Sequence, residues 1–214
     1  MFTVYGAAGS GSVAVEAALT LLGEPYEVVE RAIWNDPVAA EAVARINPMR
    51  QIPALVLPSG ELMTESAAML IWLADSHPQA RLSPALDDPA RPAFLRWMTY
   101  VAAQIYSLYW VRDDPSRVTA DAAAGALILD RTAERIAECW RVMDAQVTPG
   151  RYLLGEQLSV LDVYVSVVSR WRPRRRRFYQ EAPKMAQVVR RVDQDPRLTA
   201  FWADRFPFEG DYAA

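Results

Sequence analysis

Cysteine and histidine are nearly missing from this 214-residue chain, which holds only Cys139 and His77. One cysteine excludes an internal disulfide framework, a Cys-x-x-Cys redox pair and a cysteine metal cluster. With a single histidine besides, no metal-ligating set is legible. Lysine is confined to Lys184, so arginine carries nearly all the positive charge. Long apolar runs are absent too: Arg, Asp or Glu interrupts each one, and residues 1–23 hold no basic stretch ahead of an apolar one. Neither a membrane span nor a secretory leader is expected. The net charge of -3 supplies no general attraction to nucleic acid or to an anionic membrane. Hydrophobic residues at 52% with 23% charged argue against disorder. A globular chain in a reducing cytoplasm is expected.

What is present begins with a strand, a glycine loop and a helix. Residues 2–6 are apolar, Ala7-Ala8-Gly9-Ser10-Gly11-Ser12 follows, and a helical pattern runs from Val13 to Leu22 and stops at Gly23. Residues 25–30 read as a second strand and Pro37 to Ile46 as a helix, since proline is tolerated in a first turn. Ala54 to Leu57 and Glu61 to Thr64 flank Pro58-Ser59-Gly60, a turn signal, and should pair as a hairpin. A helix from Glu65 to Ser76 completes the order βαβαββα over residues 1–77.

Beyond it, residues 78–89 are rich in Pro, Asp and Ser and read as a linker. Residues 90–214 then show helical periodicity at 94–111, 120–147, 160–172, 184–192 and 197–205. An α/β domain followed by an all-α bundle is therefore expected. In Ser159-Val160-Leu161-Asp162 a capping serine stands three residues before an acid that can reach back to it, a folding device at a helix start.

Asn47-Pro48-Met49-Arg50-Gln51-Ile52-Pro53 enters the hairpin through a proline, which cannot donate to a ladder and belongs at a strand start or tight turn. A cis Ile52-Pro53 bond suits that place. The N–H and C=O of Ile52 would then be open to an extended ligand, paired as an added strand is. Glu65-Ser66 opens the next helix, whose first N–H groups lack intrahelical partners and suit a carboxylate. The plain alternative for Glu65-Ser66 is helix capping.

Taken together, Ile52-Pro53, Glu65-Ser66, the Ser159 to Asp162 box and the order of elements resemble the cytosolic glutathione transferase family along essentially the whole chain. The residues from Asn47 to Pro53 look most like the zeta class and its bacterial zeta- or theta-like, serine-type relatives, although the Ser-Ser-Cys loop of the zeta class is absent. The resemblance implies a thioredoxin-like N-terminal domain, an all-α C-terminal bundle, glutathione as co-substrate, a homodimer and a small hydrophobic electrophile as second substrate. It assigns Arg50, Gln51, Ile52, Pro53, Glu65 and Ser66 to glutathione, with Glu65 accepting from the ammonium.

The chemistry needs the glutathione thiol as a thiolate, and free thiols have a pKa of about 8.5. One hydrogen bond to the charged form contributes about 1.5–3 kcal/mol, where about 1.4 kcal/mol is one pKa unit. A single hydroxyl is therefore enough. Ser10, Ser12 and Tyr5 are the candidates, the serines beside a helix N-terminus that itself favours the anion. The plain readings are that Ser12 caps the helix and Tyr5 packs in the core. Residues 1–77 contain no cysteine, which disfavours the family's disulfide-exchange chemistry and leaves conjugation, isomerisation or peroxide reduction. A non-catalytic binding or regulatory protein of the same fold is the alternative.

The resemblance places the electrophile against the first long helix of the bundle, where Tyr106, Tyr109 and Trp110 stand at i, i+3 and i+4 and should share a face. Arg112 follows and would point into the cleft, though a solvated arginine and a core or interface stripe are the plainer readings. Arg170, Arg172 and Arg174 to Arg177 form a basic patch, expected as a loop of solvated charges or as an anion-recruiting edge. His77 reads as a capping or surface residue and Cys139 as a buried apolar filler.

Overall fold

A computed structural model describes residues 1–33 and 36–207. Among them β1 (Phe2–Gly6), β2 (Tyr26–Glu30), β3 (Ala54–Val56) and β4 (Leu62–Met63) form one sheet in the order β2-β1-β3-β4. β1 and β2 are parallel, with Phe2 opposite Tyr26, while β3 runs antiparallel to β1 and ends its register at Tyr5 opposite Ala54. A parallel pair needs a crossover, and α1 (Ser12–Leu22) supplies it. Gly23, at φ 70°, closes α1 and returns its N–H to the carbonyls of Leu19 and Thr20. α2 (Pro37–Ala44) starts behind Asp36, whose carboxylate accepts from the N–H groups of Val38 and Ala39. With α3 (Ser66–Ser76) the expected βαβαββα order is complete.

Alternation decides which face of β1 is core. Phe2, Val4 and Gly6 are buried while Thr3 and Tyr5 are half-exposed. Phe2, Val4 and Leu55 pack with Val13, Ala14 and Ala17 of α1 and Met69, Leu70 and Leu73 of α3 in one cluster. Each large member stabilises the fold by about 1.5–3 kcal/mol.

The regular elements that follow are helices: α4 (Arg91–Tyr100), a π-helical stretch (Val101–Tyr106), α5 (Leu108–Asp113), α6 (Ala122–Gln146), α7 (Val160–Val168), α8 (Arg174–Glu181), α9 (Pro183–Asp193) and α10 (Thr199–Arg205). The continuous helix expected over 94–111 is thus interrupted. Ser107 N–H reaches back five residues to the Ala102 carbonyl, and Ser107 Oγ donates to the Ala103 carbonyl at 2.6 Å, a local competition that loosens a helix. α7 starts at the expected box: the buried Asp162 carboxylate accepts from Ser159 N–H and Ser159 Oγ, and from Leu153 N–H nine residues back.

The arginine run divides: Arg172 and Arg176 are exposed as solvated charges, while two others turn inward. Residues 174–177 open a helix, and Arg170 and Arg175 are fully buried rather than solvated. Both guanidiniums bond the Asp193 carboxylate, at 2.7 and 3.0 Å. Arg175 also donates to the carbonyl and hydroxyl of Ser166, and Arg170 to the Phe206 carbonyl. Arg177 pairs with Glu134 and Glu181 on the surface. Arg170 and Arg175 are the internal tie of α7, α8 and α9, because one aspartate on a neighbouring helix draws these two inward.

Candidate functional site

The loop between β1 and α1 is built around close approaches that only glycine permits. A β-carbon on Gly6 would lie 2.2 Å from Ser12 Oγ, and one on Gly11 would lie 1.9 Å from Tyr106 Oη. Inside this loop the hydroxyls form a chain. Ser10 Oγ accepts from the N–H groups of Ala7 and Ser12 and lies 2.9 Å from Ser12 Oγ. Ser12 Oγ in turn donates to Glu16 Oε1 at 2.6 Å and accepts from Ala7 N–H. Since the Ser12 proton goes to the carboxylate, the Ser10 proton is the one that lies between the two serines. Ser12 and Glu16 are completely buried, whereas Ser10 retains 7% exposure.

Glu16 would be a costly buried charge without Arg205, whose Nε donates to Glu16 Oε2 at 2.6 Å and which also pairs with Glu30. Burial opposes the Arg205 charge, but the two carboxylates outweigh it and hold its pKa above the usual arginine value. α10 is thereby fastened to α1.

Gly9 is held from both sides by the helical part of the chain. Its N–H donates to the Arg205 carbonyl at 2.9 Å, and its carbonyl accepts from Trp171 Nε1 at 2.8 Å. The Trp171 ring also packs on Tyr106 and Tyr109, at centroid distances of 4.8 and 5.0 Å. These rings roof the glycine loop. Burial first, then the nearby negative charges, push the Tyr106 phenol well above the usual tyrosine value, and burial does the same for Tyr109.

Trp110 does not join them. It is 48% exposed and lies under the Arg117 guanidinium. Consecutive helical residues are about 100° apart, so once Tyr109 turns inward Trp110 faces outward. Arg112 is turned away as well, donating to the Leu129 carbonyl and to Thr132 Oγ1 on α6.

The second wall is the turn before β3. Asn47 organises it: its carbonyl accepts from Arg50 N–H, its side-chain amide donates to the Gln51 carbonyl at 2.9 Å, and its Oδ1 accepts from Met49 N–H. Arg50 adopts φ 55° and its exposed guanidinium pairs with Glu41 at 3.1 Å. The Ile52-Pro53 bond is cis. Ile52 precedes Ala54, where the β1–β3 register ends, so its backbone lies past the ladder.

At α3 the preceding residue, Glu65, holds φ 65°, a left-handed conformation that costs a non-glycine residue about 1–3 kcal/mol. No side chain among the described residues caps the first turn of this helix. The Ser66 hydroxyl lies 2.9 Å from the hydroxyl of Tyr164 on α7. Burial pushes the Tyr164 phenol well above its usual value, so it stays protonated.

The structure therefore gathers Ser10, Ser12 and Tyr106 at the α1 end, and Glu65 and Ser66 at the α3 end. Tyr5 is not among them: Gly6 faces α1, so its neighbour Tyr5 faces the other side of the sheet. Residues that sequence reasoning passed over are Gly11, Glu16, Tyr164, Trp171 and Arg205. Only the buried acid at Glu16 leaves a trace in the sequence, as a charge within an otherwise apolar helical run. His77 caps the end of α3, Nδ1 lying 2.8 Å from the Leu73 carbonyl. Among the described residues no group of three or more His, Cys, Asp or Glu could hold a metal, and no helix is long and apolar enough to cross a membrane.

A thioredoxin-like sheet whose turns are roofed by a helical bundle is the architecture of the glutathione transferases. A glutathione transferase homologue from Sulfitobacter, crystallised with bound glutathione, superposes with a TM-score of 0.81 at 26% identity over 95% of this chain and 97% of its own. Residues 12–76 match the glutathione S-transferase N-terminal domain family. YncG, an uncharacterised GST-like protein of Escherichia coli K12, is 30% identical over 92% of this chain and 95% of its own length. A rat maleylacetoacetate isomerase is 29% identical over 70% of this chain and 67% of its own. The chain belongs to the glutathione S-transferase family.

Proposed function

We propose that this protein is a glutathione transferase that joins the glutathione thiolate to a small hydrophobic electrophile. The observation that carries this reading is the uncapped start of α3 with Ser66 hydrogen-bonded to a buried, protonated Tyr164. With Tyr164 donating to Ser66 Oγ, the Ser66 proton is left for a ligand carboxylate. The γ-glutamyl carboxylate sits there and on the helix N–H groups, with Glu65 accepting from the ammonium. The cysteinyl backbone pairs with Ile52 behind Pro53 as an added strand does, and Gln51 and Arg50 face the remaining polar end.

This places the sulfur near the N-terminus of α1, where the helix favours an anion and Ser10 turns its proton from Ser12 to the sulfur. For an aryl halide, the thiol proton passes to solvent, a sulfur lone pair forms the C–S bond, and the halide leaves with the C–halogen electron pair. Tyr106, Tyr109 and Trp171 provide the apolar wall for the electrophile. The protein works as a cytoplasmic homodimer on the same reading, which analytical ultracentrifugation checks. Calorimetry with glutathione and turnover of a generic aryl halide test the core of it. Binding, with turnover that collapses in Ser10→Ala and affinity that weakens in Ser66→Ala, supports the transferase; absence of binding ends it.

A glutathione-dependent isomerase is the second reading, favoured by Asn47-Pro48-Met49 and by the similarity to the rat maleylacetoacetate isomerase. Glutathione binding with cis–trans isomerisation of a maleyl-type diketo acid and no aryl halide turnover would select it.

A further inference from the structure

Resting on the reading of this protein as a glutathione transferase, we propose that Glu16 is a positioning residue: through Ser12 it holds the Ser10 proton off the sulfur, so that Ser10 reaches a thiolate only by leaving another bond.

Glu16 lies one helical turn after Ser12, on the same face of α1. An ionised carboxylate only accepts, whereas a serine hydroxyl has one proton and two acceptor sites. Glu16 Oε1 takes the Ser12 proton across 2.6 Å, a length typical of a charged acceptor. Ser12 Oγ keeps its two acceptor sites. Ala7 N–H fills one at 3.1 Å, and the Ser10 hydroxyl, 2.9 Å away, fills the other. The acceptor sites of Ser10 are themselves taken by the N–H groups of Ala7 and Ser12. The pair has room because residue 6 is glycine: a β-carbon there would lie 2.2 Å from Ser12 Oγ and 3.3 Å from Glu16 Oε1.

Arg205 decides how an amide would sit in place of the carboxylate. Its Nε donates to Glu16 Oε2 at 2.6 Å, so in Glu16→Gln the amide oxygen faces Arg205 and the amide N–H faces Ser12. That N–H fills the acceptor site the Ser10 proton uses, and the Ser10 proton is released to the sulfur. Among the described residues Glu30, paired with Arg205, and Tyr26 on β2 also stand near the Glu16 charge. The nucleophilicity of a thiol falls as its pKa falls. By restraining Ser10, Glu16 trades some thiolate for a more reactive one.

The role is tested by titrating the ultraviolet thiolate absorbance of bound glutathione, with calorimetric binding in the same preparations. In Glu16→Gln the midpoint of the bound thiol falls by about half a unit to one unit, a change of about three- to tenfold and the equivalent of one neutral hydrogen bond. The plateau of aryl halide turnover above the midpoint falls with it. Ser12→Ala, which keeps the Glu16 charge and removes the competing acceptor, should lower the midpoint as well. In a Ser10→Ala background neither substitution should move it, which separates an action through Ser10 from the loss of a buried charge. With glutathione bound, a midpoint that does not fall in Glu16→Gln, that falls there but not in Ser12→Ala, or that still moves without Ser10 overturns the role of Glu16 and leaves the transferase reading standing. Failure of the unaltered protein to bind glutathione overturns both.

Discussion

Trp171 donates its indole N–H to the carbonyl of Gly9 across 2.8 Å, from a residue 162 positions away. The loop that holds Ser10 is therefore shaped by the helical part of the chain as much as by the strand that precedes it. Replacing Trp171 by Phe keeps a ring against Tyr106 and removes the donor. We expect a stability loss of about 0.5–1.5 kcal/mol in urea unfolding, and a fall in turnover larger than the fall in glutathione affinity. Equal losses in both would show that the bond only holds the fold together.

Ser66 and Tyr164 should act as a unit on glutathione. Tyr164→Phe and Ser66→Ala are each expected to raise the Kd by about five- to tenfold, the equivalent of one hydrogen bond. The double variant should be little worse than Ser66→Ala, because Tyr164 acts through that hydroxyl. Strictly additive effects in calorimetry would separate the two residues.

Arg205 balances a carboxylate that has no exposure of its own. Arg205→Met leaves Glu16 buried with only Ser12 to answer it, and such removals cost about 3–5 kcal/mol. Adding Glu16→Gln to that variant should recover most of the loss. A change below about 1 kcal/mol in the urea midpoint analysis would place the pair among ordinary surface bridges.

Asp162 gives a pH signature. Burial, only partly offset by its hydrogen bonds from Leu153 and Ser159, lifts its carboxyl from 3.8 to about 6. Between those values the folded chain holds a proton that the unfolded chain has lost, so this group's contribution falls as pH rises through that window. The stability difference between the unaltered protein and Asp162→Asn should shrink by about 2 kcal/mol from pH 4 to pH 7. A difference that is flat with pH, or that grows, would contradict the shifted carboxyl.

Much of the architecture was legible because it rests on short-range rules. The apolar strand at residues 2–6, the Pro58-Ser59-Gly60 turn, the stop at Gly23 and the Ser159–Asp162 box each depend on residues a few positions apart, and each stands in the structure as expected. Helical spacing was less faithful. It put Tyr106, Tyr109 and Trp110 on one face, yet the π-helical stretch and the packing of Trp171 chose the first two. Arg170 and Arg175 misled for the same reason, since their place was fixed by Asp193 on another helix.

The amino-acid order by itself thus determined the strands, the starts of α1, α2, α3 and α7 and the proline turn, whereas α8 (Arg174–Glu181) was not legible. Tertiary structure alone decided which hydroxyls meet and which aromatic rings roof the loop. Ser66 meets Tyr164 across 98 residues, Gly9 meets Trp171 across 162, and Glu16 meets Arg205 across 189. Local propensity is blind to pairs so far apart, because they form only when two separately folded surfaces bury each other's polar groups.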